Sequence, residues 1–176
     1  YRRWMPDDYP EKYKSGIGDK GVENLKKFVE EGGRLITFDE SWEFAAETFD
    51  LNVRNGLAGY DRKEFFCPGS TIRVSFDNTD PLAWGMPEEQ FVLFRSSPAF
   101  EIVPGRRNHK YKTVARYAKE NLLKSGWLIG EDKLAGKAAL VRAAFGKGDI
   151  VMISFRTQHR AQTDATFKIL FNALVR

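Results

Sequence analysis

The chain has 176 residues, of which 42% are apolar, 30% charged and 14% aromatic, and a net charge of +4. That length supports one domain with a real core, and the aromatic content argues against disorder. The mild, interleaved charge excess implies no nucleic-acid partner, no apolar run is long enough to cross a membrane, and a single cysteine, Cys67, excludes an intrachain disulfide.

The chain opens on "YRRWMPDDYPEKYKSGIG", which is polar, carries two prolines and lacks an initiating Met, so it reads as a piece of a longer protein. Val22, Leu25, Phe28 and Val29 then recur at helical spacing, with Asp19 as N-cap and Gly32 and Gly33 as a left-handed stop. "RLITF" follows as a short buried strand, "DES" as a turn and "WEFAAETF" as a second helix. The stretch from Leu51 to Ser70 reads as a Gly- and Pro-punctuated loop. "TIRVSF", "QFVLF", "AFEIV" and "TVARYA" read as strands, separated by "DNTDPLAWGMPEE", "RSSP" and the basic loop "GRRNHKYK". "AALVRAAF" and "DIVMISF" form a hairpin about "GKG", which leads into no helix and is therefore not a phosphate loop. A last helix carries Phe167, Leu170, Phe171 and Leu174 on one face, capped by Thr163 or Asp164.

The order helix, Gly-Gly, strand, acidic turn, helix is a piece of an α/β layered fold. The opening unit implies parallel pairing and the closing hairpin antiparallel pairing. The expected fold is therefore a mixed, mainly parallel sheet flanked by helices. A doubly wound domain begins with a strand and this stretch begins with a helix, so the first β/α units are expected upstream.

Ligands of such folds bind beyond the carboxyl ends of the strands, where Asp39, Glu40 and Ser41 stand. Ser41 is a candidate nucleophile, although no glycine flanks it as a strained elbow would require; an acidic pair that caps the next helix is the favoured reading. His159, flanked by Gln158 and Arg160 between the last strand and the last helix, is a candidate base or a hydrogen-bonded loop residue docking that helix. Cys67 shows neither a helix N-terminus nor a neighbouring His, so a small buried residue is favoured over a thiolate. Two histidines fifty residues apart, with no Cys pair, give no zinc motif.

The blocks "GIGDKGVENLKKFVEEGGRLITFDESWEFA", "EFFCPGSTIRV", "DPLAWGMPEE", "SGWLIGEDKLAGKAALVRAAFGKGDIVMISF" and "FRTQHRAQTDATFKILFNAL" together resemble the C-terminal amidotransferase-like region of certain bacterial zinc carboxypeptidases. Those are large, secreted relatives of carboxypeptidase A. The resemblance covers nearly the whole chain, and "FCPGS", "GMP" and "QHRAQT" are its most specific parts. It implies a single class I glutamine amidotransferase-like (flavodoxin-like) accessory domain over residues 1–176. The catalytic carboxypeptidase domain is then expected upstream, as the partner of this one, with the parent secreted or periplasmic. That parent would use zinc to hydrolyse C-terminal residues of peptides. The family's zinc ligands follow His-x-x-Glu with a later His. Here His109 is followed three residues on by Lys112 and His159 by Gln162, so no ligand carries over and no cofactor is expected in this chain.

Within the amidotransferase comparison His159 matches the triad His, and Asp39 or Glu40 lies near the missing nucleophile. Three functions follow as expectations. One is a non-catalytic accessory domain. Another is a hydrolase or amidotransferase-like enzyme using His159 with Ser41 or Cys67. The third is a module for a peptide, carbohydrate or cell-wall ligand, using Trp side chains near the strand ends. A pocket in which His159 faces Asp39 or Glu40 would mark a relic site.

Overall fold

Helix α1 (Gly18–Glu30) ends where the paired glycines require it. The Gly33 N–H donates to the Phe28 carbonyl at 2.7 Å and the Gly32 N–H to that of Val29 at 3.1 Å, the two bonds of a Schellman closure, with Gly32 at φ 124°. The start differs from expectation. Gly18 opens the helix at φ 65°, Ile17 is the N-cap, and Asp19 lies inside the first turn, where its charge still suits the dipole. The computed structural model describes residue 10 and residues 16–105 and 109–175. Trp4 and residues 106–108 of the basic loop lie outside the described residues.

The remaining elements are β1 (Arg34–Phe38), α2 (Trp42–Phe49), β2 (Val53–Asn55), β3 (Ser70–Phe76), β4 (Glu89–Phe94), β5 (Phe100–Ile102), β6 (Tyr111–Tyr117), β7 (Leu123–Ser125), α3 (Glu131–Leu134), β8 (Ala138–Phe145), β9 (Gly148–Ile153) and α4 (Phe167–Leu174). Among the described residues the strands form one nine-stranded sheet. Its main path runs β1-β9-β8-β6-β3-β4, with β5 joined to β8 and β2, and β7 joined to β3. β2, β7 and α3 escaped the sequence reading. They are three or four residues long and are held by partners rather than by any periodicity of their own.

A mixed sheet flanked by helices is what the sequence implied, but the expectation that it is mainly parallel needs correction. Among the described residues β1 pairs with β9 in parallel, Arg34 opposite Asp149 and Phe38 opposite Ile153, and every other ladder is antiparallel. Parallel neighbours need a crossover of a dozen residues or more. Between β3 and β9 the chain supplies mostly short links, such as Gly146-Lys147 between β8 and β9.

The two faces of the sheet carry separate cores. On one, Val29 of α1 and Ala45 and Phe49 of α2 cover Ile150 and Met152, with Phe49 edge-on to Phe145 at 5.0 Å and Trp42 to Phe100 at 5.6 Å. On the other, Ile169 and Ala173 of α4 cover Val151 and Ile153, beside Leu82, Phe94 and Tyr117. All six residues of β9 are buried, as a strand covered on both faces must be. Helix α4 is turned relative to its sequence pattern: Ile169 and Ala173 face inward, whereas Phe171 and Leu174 are 60% and 66% exposed. Polar anchors fix that orientation. The Asn172 side-chain amide donates to the Leu82 and Trp84 carbonyls and the Lys168 ammonium to that of Gly85. Arg34 Nη1 donates to the Ala173 carbonyl at 3.1 Å.

Candidate functional site

The carboxyl ends of β1 and β9 lie side by side, because these strands are parallel and in register. That is where the open crevice of an α/β sheet forms. Directly after β1, Asp39 takes a left-handed backbone at φ 51° and starts a 3₁₀ turn, Asp39–Ser41, that runs into α2. A non-glycine residue at positive φ stores strain of roughly 1–3 kcal/mol, held in place by its surroundings. The turn is therefore a sharp strand-to-helix elbow, with Asp39 at its apex.

The Asp39 side chain points inward and is only 8% exposed. Its Oδ2 accepts from Arg156 Nε at 3.0 Å, and its Oδ1 is buried with no hydrogen-bond partner among the described residues. Burial pushes the carboxyl above its usual range, against the pull of the Arg156 guanidinium and the Ser97 hydroxyl. Arg156 leaves β9 three residues past Ile153 and its side chain is 53% exposed. The pair thus couples a buried acid to a solvent-facing cation.

Polar groups continue beneath it. The Tyr117 hydroxyl lies 2.8 Å from Ser154 Oγ and donates to the Pro98 carbonyl at 3.1 Å. Burial pushes its titration up, and the charge of Asp39 adds to that. Beside Ser97 opens a cleft of about 280 Å³, lined by Leu57, Arg62, Phe66, Cys67 and Ser96 among others. Ser96 (φ 53°), Arg160 (49°) and Ala161 (53°) share the left-handed backbone of Asp39, so the loops after β4 and β9 are strained as well.

The candidates chosen from sequence are distributed unevenly over this site. Asp39 is its centre, and Glu40 beside it is exposed. Both hydrogen-bonding capacities of Ser41 are occupied: its Oγ accepts from the Phe38 N–H at 2.8 Å and donates to the Phe38 carbonyl at 2.5 Å. Cys67 is buried, and burial pushes its thiol up against the pull of Ser70 and the Gly69 backbone. His159 begins a 3₁₀ turn, His159–Ala161, and accepts through its carbonyl from the Gln162 N–H. Among the described residues no hydrogen bond or ion pair joins its imidazole to Asp39, Glu40, Ser41 or Cys67. The partner of Asp39 is Arg156. Gln158 accepts from the Thr157 hydroxyl, and Arg160 is exposed.

Arg156, Ser97, Tyr117 and Ser154 were not legible as site residues. Arg156 carried a weak signal, being a cation at the end of the strand that runs beside the acidic turn. Ser154 follows β9 directly, while Ser97 and Tyr117 are brought in by the antiparallel part of the sheet. Among the described residues no three His, Cys, Asp or Glu side chains are grouped so as to hold a metal, and no helix is long and apolar enough to cross a membrane. Trp42 is buried, while Trp84 and Trp127 are exposed, the latter edge-on to Phe66 at 6.0 Å.

No family model matches the chain, and no curated protein matches it. Solved structures do share its fold. A β-galactosidase from Bacillus circulans sp. alkalophilus matches with a TM-score of 0.54 at 15% identity, over 88% of this chain and 20% of that one. A putative ThuA-like protein from Bacteroides uniformis matches with 0.52 at 12%, over 91% and 64%. A putative GMP synthase protein from Thermoplasma acidophilum matches with 0.50 at 11%, over 88% and 65%. The chain thus spans a fifth of the first and less than two thirds of the other two. The likeness is one of fold: a mixed α/β sheet flanked by helices, resembling the ThuA-like and amidotransferase-like folds.

Proposed function

We propose that this chain is a non-catalytic accessory domain of a zinc-carboxypeptidase-like protein, packed beside a catalytic domain that lies upstream. The observation that carries the non-catalytic half is the occupant of the elbow. Where an amidotransferase-like enzyme needs a free nucleophile facing a base, this chain has a buried carboxylate tied to Arg156, and among the described residues no hydrogen bond joins the His159 imidazole to Ser41 or Cys67. Covalent acyl transfer has no agent in such an arrangement. The parent activity, hydrolysis of C-terminal residues of peptides with zinc held by the upstream domain, rests on the resemblance of the sequence blocks, as does a secreted or periplasmic setting.

The test is turnover by the isolated chain. Glutamine, activated esters and peptides with free C-termini should all remain intact, with or without added zinc. Hydrolysis abolished by His159→Ala would overturn the reading in favour of an enzyme built on His159.

A second reading, a module for a peptide or carbohydrate ligand, draws on exposed Trp127 against Phe66 at the rim of the cleft. Quenching or a blue shift of indole fluorescence on titration with cell-wall oligosaccharides, lost in Trp127→Ala, would favour it.

A further inference from the structure

We propose that the outer edge of β1 is a docking site for a β–α unit supplied from upstream of α1 in the same polypeptide. Its strand would lie parallel to β1 and its helix would cover the outward stripe of α4. The inference rests on reading the chain as one part of a longer protein, and it names the surface through which that part joins the rest.

One hydrogen bond and the register fix the direction of the β1 backbone. The Asp149 N–H donates to the Gly33 carbonyl, so that carbonyl and the peptide groups of Leu35 and Thr37 turn toward β9. Arg34, Ile36 and Phe38 therefore turn theirs outward. The Phe38 groups are already satisfied, by both bonds to Ser41. The outward N–H and C=O of Arg34 and Ile36 remain, and among the described residues no strand pairs with them.

This edge lacks the usual protection. Leu35 to Phe38 contain no charge, proline or bulge. The one cation, Arg34, is turned inward, bonded to both oxygens of Asp149 and to the Ala173 carbonyl. Both faces of β1 are packed with apolar side chains: Leu35, beside buried Thr37, lies against the α1–α2 core, and Ile36 and Phe38 against the α4 core. A parallel strand apolar on both faces belongs in the interior of a sheet.

Helix α4 gives an independent indication. Its i, i+3, i+4, i+7 stripe of Phe167, Leu170, Phe171 and Leu174 ends in two largely exposed side chains, while its polar anchors hold the opposite side to the domain. Arg34 ties this helix to the start of β1. Edge and stripe are thus neighbours, and a strand followed by a helix has the geometry to cover both. The ThuA-like and GMP synthase chains of the same fold continue well beyond the part this chain matches.

The experiment is residue-resolved amide exchange on the 176-residue chain at high dilution and on the longer native polypeptide. In the short chain Ile36 should exchange almost unprotected while Leu35 and Thr37 are protected; in the longer one Ile36 should slow by about 100-fold or more. Equal exchange of Ile36 in both overturns the proposal. So does protection already present in the dilute short chain, which would assign the edge to this chain's own residues. Protection that grows with concentration alongside dimer formation would assign it to a second copy, and overturns it too. In the longer polypeptide, Phe171→Glu with Leu174→Glu should raise Ile36 exchange at least about 10-fold, and unchanged exchange would refute the helix half. Peptide turnover by the short chain would overturn the accessory role and leave this surface untouched.

Discussion

The parallel pair β1–β9 carries an Arg–Asp pair at each end, and the two are built differently. At the amino end Arg34 and Asp149 are opposite residues in the register. They meet through Nε–Oδ1 at 2.6 Å and Nη2–Oδ2 at 2.7 Å, with side chains 13% and 11% exposed. At the carboxyl end the order is exchanged: the acid follows β1 and the arginine follows β9. One bond joins them, one carboxylate oxygen is orphaned, the arginine faces solvent and the acid sits on strained backbone. A fully satisfied pair on regular strands is a clamp. A half-satisfied pair on a strained turn leaves hydrogen-bonding capacity unspent.

The largest expected effect tests the clamp. Asp149→Ala should cost roughly 3–5 kcal/mol in urea unfolding, because it strands a largely buried guanidinium, 13% exposed, and loosens the tie between β1 and α4. Arg156→Ala should cost about 1 kcal/mol or less, since its cation is half in water and Asp39 can take up a proton. A loss equal to that of Asp149→Ala would break the distinction and make both ends structural.

The smallest effect is a slope. Burial raises the Asp39 carboxyl in the fold, so ionising it there is less favourable than in the unfolded chain. Its contribution to stability is complete below the ordinary carboxylate range and is lost as pH rises through its titration in the fold. Asp39→Asn, which tolerates the left-handed backbone, should therefore gain stability relative to the parent chain as pH rises from about 3 to about 7. A gain that instead shrinks with pH would mean that Arg156, not burial, governs Asp39.

Much of this architecture was legible in particular residues. The Gly-Gly stop, "RLITF", the Gly146 hairpin and the unbroken apolar run of β9 express short-range rules, and the chain follows them. The place of the acidic turn at the carboxyl end of β1, a candidate site by that position, was legible from the order strand, turn, helix. The nature of that site was not. Nothing in "FDESW" says that Ser41 is spent on Phe38, and nothing in "FRTQHRAQT" says that Asp39 pairs with the arginine before the histidine rather than with the histidine. The inward side of α4 was not legible either, because its apolar stripe is real but its polar anchors choose the other side.

Short-range chemistry, then, placed the main elements along the chain, since capping, turn and burial patterns act over a few residues. It also placed an acidic elbow between a buried strand and a helix. Long-range pairing did the rest: it made the sheet mostly antiparallel, buried Asp39 against Arg156 and, among the described residues, left the outer edge of β1 unpaired. Those outcomes depend on which distant segments share a ladder, and hydrogen-bond partners more than a hundred residues apart leave no local pattern to read.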